Sequence, residues 1–158
     1  MGLRVVALDV AEEKLDLARA LGAEATVNCA GASAVQEVLD VTGGGAHGVL
    51  VTAVSPPAFS QAIGFTRRRG TVVFVGLPPG GFETPIFSVV LRRITLRGSI
   101  VGTRKDLDEA LGFALRGEVH SEVTIEPFDS VNEVLDRLRR GEVRGRVVLS
   151  IGSHADQR

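Results

Sequence analysis

Gly48-Val49-Leu50-Val51-Thr52-Ala53-Val54, then a helical stretch from Pro57 to Thr66, then Gly70-Thr71-Val72-Val73-Phe74-Val75-Gly76 decide the fold of this chain. Runs that are apolar at every position have the pattern of parallel strands covered on both faces. Pro57 suits the first turn of the helix between them, where a missing N–H costs nothing. Parallel strands need such a crossover, and its right-handed sense sets the face on which the helix lies.

The same rhythm extends outward. Upstream, residues 4–9 predict a strand and residues 11–21 a helix, with Leu15, Ala18 and Leu21 at helical spacing and Gly22 as its stop. Residues 25–28 predict a short strand. Residues 33–42 predict a helix with Ser33 as N-cap and Val35, Val38 and Leu39 on one side. Downstream come a Pro/Gly loop at residues 77–81, a short helix at 88–93 and a strand from Ile94 to Ile100. Strand–helix repeats of this length predict an α/β fold, a doubly wound parallel sheet with helices on both faces.

After Gly102 the rhythm changes. Residues 105–115 predict a helix closed by Gly117, and residues 123–128 an extended segment. Ser130 is placed to cap a helix through Arg139, with Val131, Val134, Leu135 and Leu138 as its apolar face and Gly141 as its stop. Residues 145–151 predict a last strand, and 153–158 a frayed tail. The boundary near Val101 divides the chain into residues 1–101 and 102–158.

Composition narrows the function. Across 158 residues the apolar share is 44% and the formal net charge is -1, so nothing favours nucleic acid or an anionic membrane as partner. Trp and Tyr are absent, which removes the aromatic platforms on which bases stack. No apolar run approaches the ~20 residues needed to cross a bilayer. One cysteine, Cys29, excludes an internal disulfide. These features suit a cytoplasmic protein.

Several positions could carry chemistry. Asp9 ends a strand and precedes a helix; a carboxylate there can accept both hydroxyls of a ribose and repel a 2′-phosphate, or it can cap the helix. Lys14 stands one helical turn on, as a ribose or phosphate contact or as a solvated lysine. Gly43-Gly44-Gly45-Ala46-His47-Gly48 spells G-x-G-x-x-G, but it follows a helix and opens a strand. A phosphate cradle needs the reverse order, so this is a helix stop and turn. Val75-Gly76-Leu77-Pro78-Pro79-Gly80 follows a strand, where ligands of open α/β sheets lie. The same placement covers Thr52-Ala53-Val54-Ser55 and Gly98-Ser99-Ile100-Val101. Cys29, His47, His120 and His154 are scattered without metal-ligand spacing. Arg67-Arg68-Arg69 reads as a solvated turn before a strand. Arg146 opens the final strand and could fork onto a phosphate.

Taken in order, these segments resemble the medium-chain, zinc-dependent alcohol dehydrogenase family, its bacterial, yeast-like branch above all. The matching pieces are Val5-Val6-Ala7-Leu8-Asp9 with Lys14, Ala20-Leu21-Gly22-Ala23-Glu24, Val51-Thr52-Ala53-Val54-Ser55, the stretch from Gly70 to Gly80, that from Gly98 to Arg104, and that from Gly141 to Val148. The resemblance implies the C-terminal coenzyme-binding portion of an NAD-dependent enzyme that moves hydride between an alcohol or aldehyde and NAD. It implies that Asp9 and Lys14 bind the adenosine ribose and that Val54, Val75, Gly76 and Leu77 line the coenzyme cleft. Ser99 and Val101 would approach the nicotinamide, and Arg146 the pyrophosphate. Residues 1–101 would then be a partial Rossmann domain, and 102–158 a return into the catalytic domain.

The resemblance also implies that the zinc ligands, the first Rossmann strand and its glycine loop lie upstream of these residues, so that the chain alone binds coenzyme weakly or not at all and does not turn over. It holds no zinc ligands and no catalytic residues of its own. Subunits would pair through the edge strand from Ile94 to Ile100 into a homo-oligomer. With strand one central in the usual order 3-2-1-4-5-6, the strands at 4–9 and 49–54 lose their shared neighbour. They are expected to pair with each other directly or through a partner chain. Two other readings stand beside this one. A non-catalytic Rossmann-like module or relic would use its free edges for a partner. A zinc-free quinone oxidoreductase-type reductase is disfavoured by Asp9.

Overall fold

The computed structural model describes residues 2–152, in two compact units, Met1–Val101 and Gly102–Arg158. The tail at residues 153–158 lies outside the described residues. The first unit runs β1 (Val6–Asp9), α1 (Glu12–Ala20), β2 (Ala25–Asn28), α2 (Ala34–Thr42), β3 (Ala46–Val51), α3 (Pro56–Phe65), β4 (Thr66–Phe74), α4 (Ile86–Arg92) and β5 (Thr95–Gly98). All its strand pairs are parallel, as the apolar runs joined by helices require. Helices stop where glycine takes the left-handed conformation: Gly43 closes α2 at φ 68°.

The strands form two sheets, β1-β2 and β3-β4-β5, and β1 does not pair with β3. The direct pairing expected of these two strands is therefore absent, and each keeps one free edge. The sheets are joined instead by apolar packing. Val27, Ala34, Val38 and Phe65 form one buried cluster, against which Val6, Leu8 and Val49 pack. Val51, Phe59, Ala62, Ile63, Val72 and Ile94 form the other. Helix α3 feeds both, with Phe65 in the first and Phe59, Ala62 and Ile63 in the second. Arg92 of α4 donates to the Ile63 and Thr66 carbonyls, capping the end of α3 with a cation.

Four local expectations are corrected. β3 ends at Val51 rather than Val54, and it is not covered on both faces: Val51 is buried while Leu50 is 65% exposed. Nothing packs on the Leu50 side of this one-neighbour strand. Arg67, Arg68 and Arg69 lie inside β4, because pairing resumes as Gly48–Thr71 after Ala46–Thr66 and the arginines bulge out between, with Arg69 at φ 61°. Ser33 is not an N-cap; its backbone is already helical and its hydroxyl donates to Glu37. Ser130 likewise donates to the Pro127 carbonyl instead of capping the next helix.

The second unit comprises α5 (Arg104–Leu115), β6 (Val123–Pro127), a 3-10 turn at Phe128–Ser130, α6 (Val131–Arg140) and β7 (Arg146–Ser150). Strands β6 and β7 pair in parallel. A reciprocal capping box opens α5: Thr103 accepts from the Asp106 amide and the Asp106 carboxylate accepts from the Thr103 amide. Arg137 of α6 donates to both carboxylate oxygens of Glu126 on β6, at 2.6 and 2.5 Å. That hydrogen bond holds the Glu126 carboxyl below the usual range, against a smaller opposing effect of burial. A depressed folded-state value stabilises above the unfolded value of about 4.3 and is lost as pH falls through the folded one. Glu126→Gln is thus expected to unfold more easily than the native chain at neutral pH, with the gap in melting temperature closing below about pH 4. An equal gap at both pH values would refute this.

Candidate functional site

Parallel strands of one sheet carry their carboxyl ends to one edge: Asp9 and Asn28 end β1 and β2, and Val51, Phe74 and Gly98 end β3, β4 and β5. A cavity of about 470 Å³ opens beyond β4 and β5. Its volume falls within the roughly 300–1,000 Å³ usual for small-ligand sites. Phe59, Phe74 and Phe82 form its floor as one ring cluster. Phe59 stacks on Phe74 at 4.8 Å between centroids, and Phe82 meets Phe74 edge-on at 5.2 Å. The Leu77–Gly81 loop and Ser99 form the rim.

The loop is held at both ends. The amides of Val75 and Gly76 both donate to the Val51 carbonyl at 2.9 Å, drawing the chain after β4 against the end of β3. A Cβ on Gly76 would lie 2.2 Å from the Ala53 carbonyl oxygen, so only glycine permits this approach. At the far end the Ser60 hydroxyl donates to the Glu83 carbonyl. The Ser99 amide donates to the Phe74 carbonyl, fixing the exit of β5.

At the β1–β2 side of the edge, Asp9 pairs in register with Asn28. Asp9 Oδ1 accepts from the Val10 and Ala11 amides at 2.8 and 3.0 Å. This caps the turn after β1 rather than α1, whose N-cap Ala11 has no side-chain partner. Oδ2 takes part in no hydrogen bond among the described residues. The Asn28 amide donates to Glu12 Oε1 at 2.6 Å while its Oδ1 accepts from Ala30.

The structure brings Gly76, Leu77 and Ser99 to one cavity. Val75 borders it in sequence; Val54 and Val101 lie exposed on loops of the same edge. Asp9 stands at the end of β1, and Lys14 on α1 makes no ion pair among the described residues. Arg146 opens β7 in the second unit, where its guanidinium donates to the Gly145 carbonyl. Phe59, Phe82, Glu12 and Asn28 went unmarked in the sequence, for their roles come from partners on other elements, in register or packing. Among the described residues no three His, Cys, Asp or Glu side chains gather to hold a metal. Burial, with Asp9 and Glu37 nearby, pushes the Cys29 thiol up and leaves it a poor zinc ligand. The donor set does not fit a zinc ion.

The family profile described as zinc-binding dehydrogenase matches residues 1–116. An alcohol dehydrogenase of Moraxella sp. (strain TAE123) is 50% identical over 149 residues, 94% of this chain and 44% of the relative. An alcohol dehydrogenase of the archaeon Aeropyrum pernix superposes with a TM-score of 0.85 at 36% identity, over 93% of this chain and 42% of that one. A structure described as an NAD-dependent alcohol dehydrogenase superposes at 0.86 with 31% identity, over 96% of this chain and 45% of that one. The chain thus spans less than half the length of the relatives it matches.

Proposed function

Since this chain belongs to the zinc-binding dehydrogenase family, we propose that it is the coenzyme-binding portion of an NAD-dependent alcohol dehydrogenase. The observation that carries the reading is the ring-floored cavity at the carboxyl ends of β4 and β5, together with Asp9 at the carboxyl end of β1, whose Oδ2 takes part in no hydrogen bond among the described residues. The cavity suits a flat ring and Asp9 suits a ribose diol. Asp9 and Lys14 hold the adenosine ribose; Val54, Val75, Gly76 and Leu77 line the cleft; Ser99 and Val101 flank the nicotinamide; Arg146 meets the pyrophosphate. NAD, when bound, supplies the hydride acceptor. The backbone from Val75 to Leu77 excludes water from one face of the ring and sets its orientation. Among the described residues no donor set fits the zinc named by the family, and in this reading alcohol activation belongs to the part of the relatives that this chain does not cover.

The free edges of β1 and β3 belong to the two strands that flank strand one in the usual order. The exposed strand β5 is the surface through which two copies pair in a cytoplasmic homo-oligomer.

The test is a titration of ¹⁵N-labelled chain with NAD and with NADP. NAD is expected to shift the amides of Asp9, Leu77 and Ser99 with affinity weaker than micromolar, NADP to shift them less, and Asp9→Gly to narrow the difference. Shifts that appear elsewhere on the chain while these amides stay unmoved would defeat the reading. A second reading, a non-catalytic module, is favoured by the unpaired edges. It predicts those edges to be covered by a partner and NAD to leave Leu77 and Ser99 unmoved.

A further inference from the structure

The Asp9 carboxylate does not stand alone at the end of β1. Asn28 lies beside it in register on β2, one strand spacing of about 4.8 Å away. The Asn28 side chain is fully oriented, its Oδ1 bound to the Ala30 amide and its Nδ2 to Glu12 Oε1 at 2.6 Å. Glu12 opens α1 and is exposed, so without this tether its long side chain would sample solvent freely. Asn28 instead draws it back over the strand ends. Glu12 is thereby tied to the residue that pairs with Asp9, and Lys14 follows two positions on along α1.

We infer that Glu12, positioned by Asn28, is a second determinant of coenzyme choice: it sets the charge around the ribose so that a 2′-phosphorylated coenzyme is rejected even where Asp9 is neutralised. The inference rests on the coenzyme reading above. A ribose diol is neutral, and Asp9 Oδ2 remains to accept from it, so Glu12 need not touch a 2′-hydroxyl nucleotide. A 2′-phosphate carries a charge of about −1.5 to −2 near neutral pH. It would add its charge to a strand and helix end that carries Asp9, Glu12 and Glu13, with Lys14 as the cation that follows on α1. Unlike charges that pair, these cannot relax by moving together, and Asn28 hinders Glu12 from swinging away.

Two nucleotides that differ only in the 2′-phosphate separate the effects: AMP and 2′,5′-ADP. Each is titrated into the ¹⁵N-labelled chain at low ionic strength, with native, Glu12→Gln, Asp9→Asn and doubly substituted forms. Glutamine keeps an oxygen for the Asn28 bond and removes only the charge. Glu12→Gln is expected to leave AMP affinity within about twofold and to raise 2′,5′-ADP affinity roughly three- to tenfold, the scale of one screened charge at several ångströms. The gain should recur in the Asp9→Asn background and shrink in about 0.5 M NaCl, where the screening length falls to a few ångströms. An unchanged ratio of the two affinities on Glu12→Gln, in both backgrounds, overturns the inference while AMP binding leaves the coenzyme reading standing. AMP shifts that appear elsewhere in the native chain and spare Asp9 and Asn28 overturn both.

Discussion

Gly76→Ala is expected to destabilise the chain by roughly 1–3 kcal/mol and to abolish the response of Leu77 and Ser99 to NAD. The added methyl would sit 2.2 Å from the Ala53 carbonyl oxygen, 2.9 Å from its carbon and 3.1 Å from the Thr52 oxygen. All three are backbone atoms, so no side chain can turn aside. The ends of β3 and β4 must separate, and the two amide bonds to the Val51 carbonyl that seat the loop are the first to go. Gly81 provides the control. It lies in the same loop at ordinary φ with open space about it, and Gly81→Ala should change stability by less than about 0.5 kcal/mol. Urea unfolding of both variants, with ¹⁵N spectra in the presence of NAD, reads both effects. A Gly76→Ala chain as stable as the control would show that the strand ends yield freely.

Phe59→Ala should have the larger effect on folding. The ring is 7% exposed, stacks on Phe74 at an interplanar angle of 17° and touches Phe82 with centroids 5.5 Å apart. It also borders Val51, Val72 and Ile94 in the core beneath the cavity. Truncating a buried phenylalanine costs about 3–5 kcal/mol, because the space it leaves closes only in part. Against a total stability of about 5–15 kcal/mol, that leaves a substantial unfolded population. Phe59→Leu, which keeps most of the volume, should recover about half of the loss. Chemical denaturation of the two variants checks the order, and a Phe59→Ala midpoint close to the native one would refute it.

The order of strands and helices was legible because each is written in local periodicity. Leu15 and Val38 fall on buried helix faces, and Gly43 and Gly141 stop their helices in the left-handed conformation. What escaped depends on partners remote in sequence. Leu50 looks like any other residue of an apolar run, and only the missing cover on one face of β3 leaves it bare. The arginine triplet reads as a turn until pairing on both sides of it makes it a bulge. Ser33 and Ser130 are suitable caps by type, yet their backbone has already left the extended conformation in which a cap oxygen accepts from the first turn. Phe82 follows two glycines in a loop, and nothing local announces that it completes a ring cluster with Phe59 and Phe74. The tie between Asn28 and Glu12 needs the β1–β2 register, which no single segment encodes.

Helix α3 contributes Phe65 to the core shared with β1 and β2, and Phe59, Ala62 and Ile63 to the core of β3, β4 and β5. No strand ladder joins the two sheets. Cooperativity between the two halves of the first unit therefore passes through this one helix, with Val49 as its only strand-borne companion common to both clusters. Amides of β1 and β2 can then open to solvent while those of β4 stay closed, so the end that carries Asp9 and the end that carries the ring-floored cavity form separate units of local unfolding. Whatever docks along the free edges of β1 and β3 would fuse those units into one.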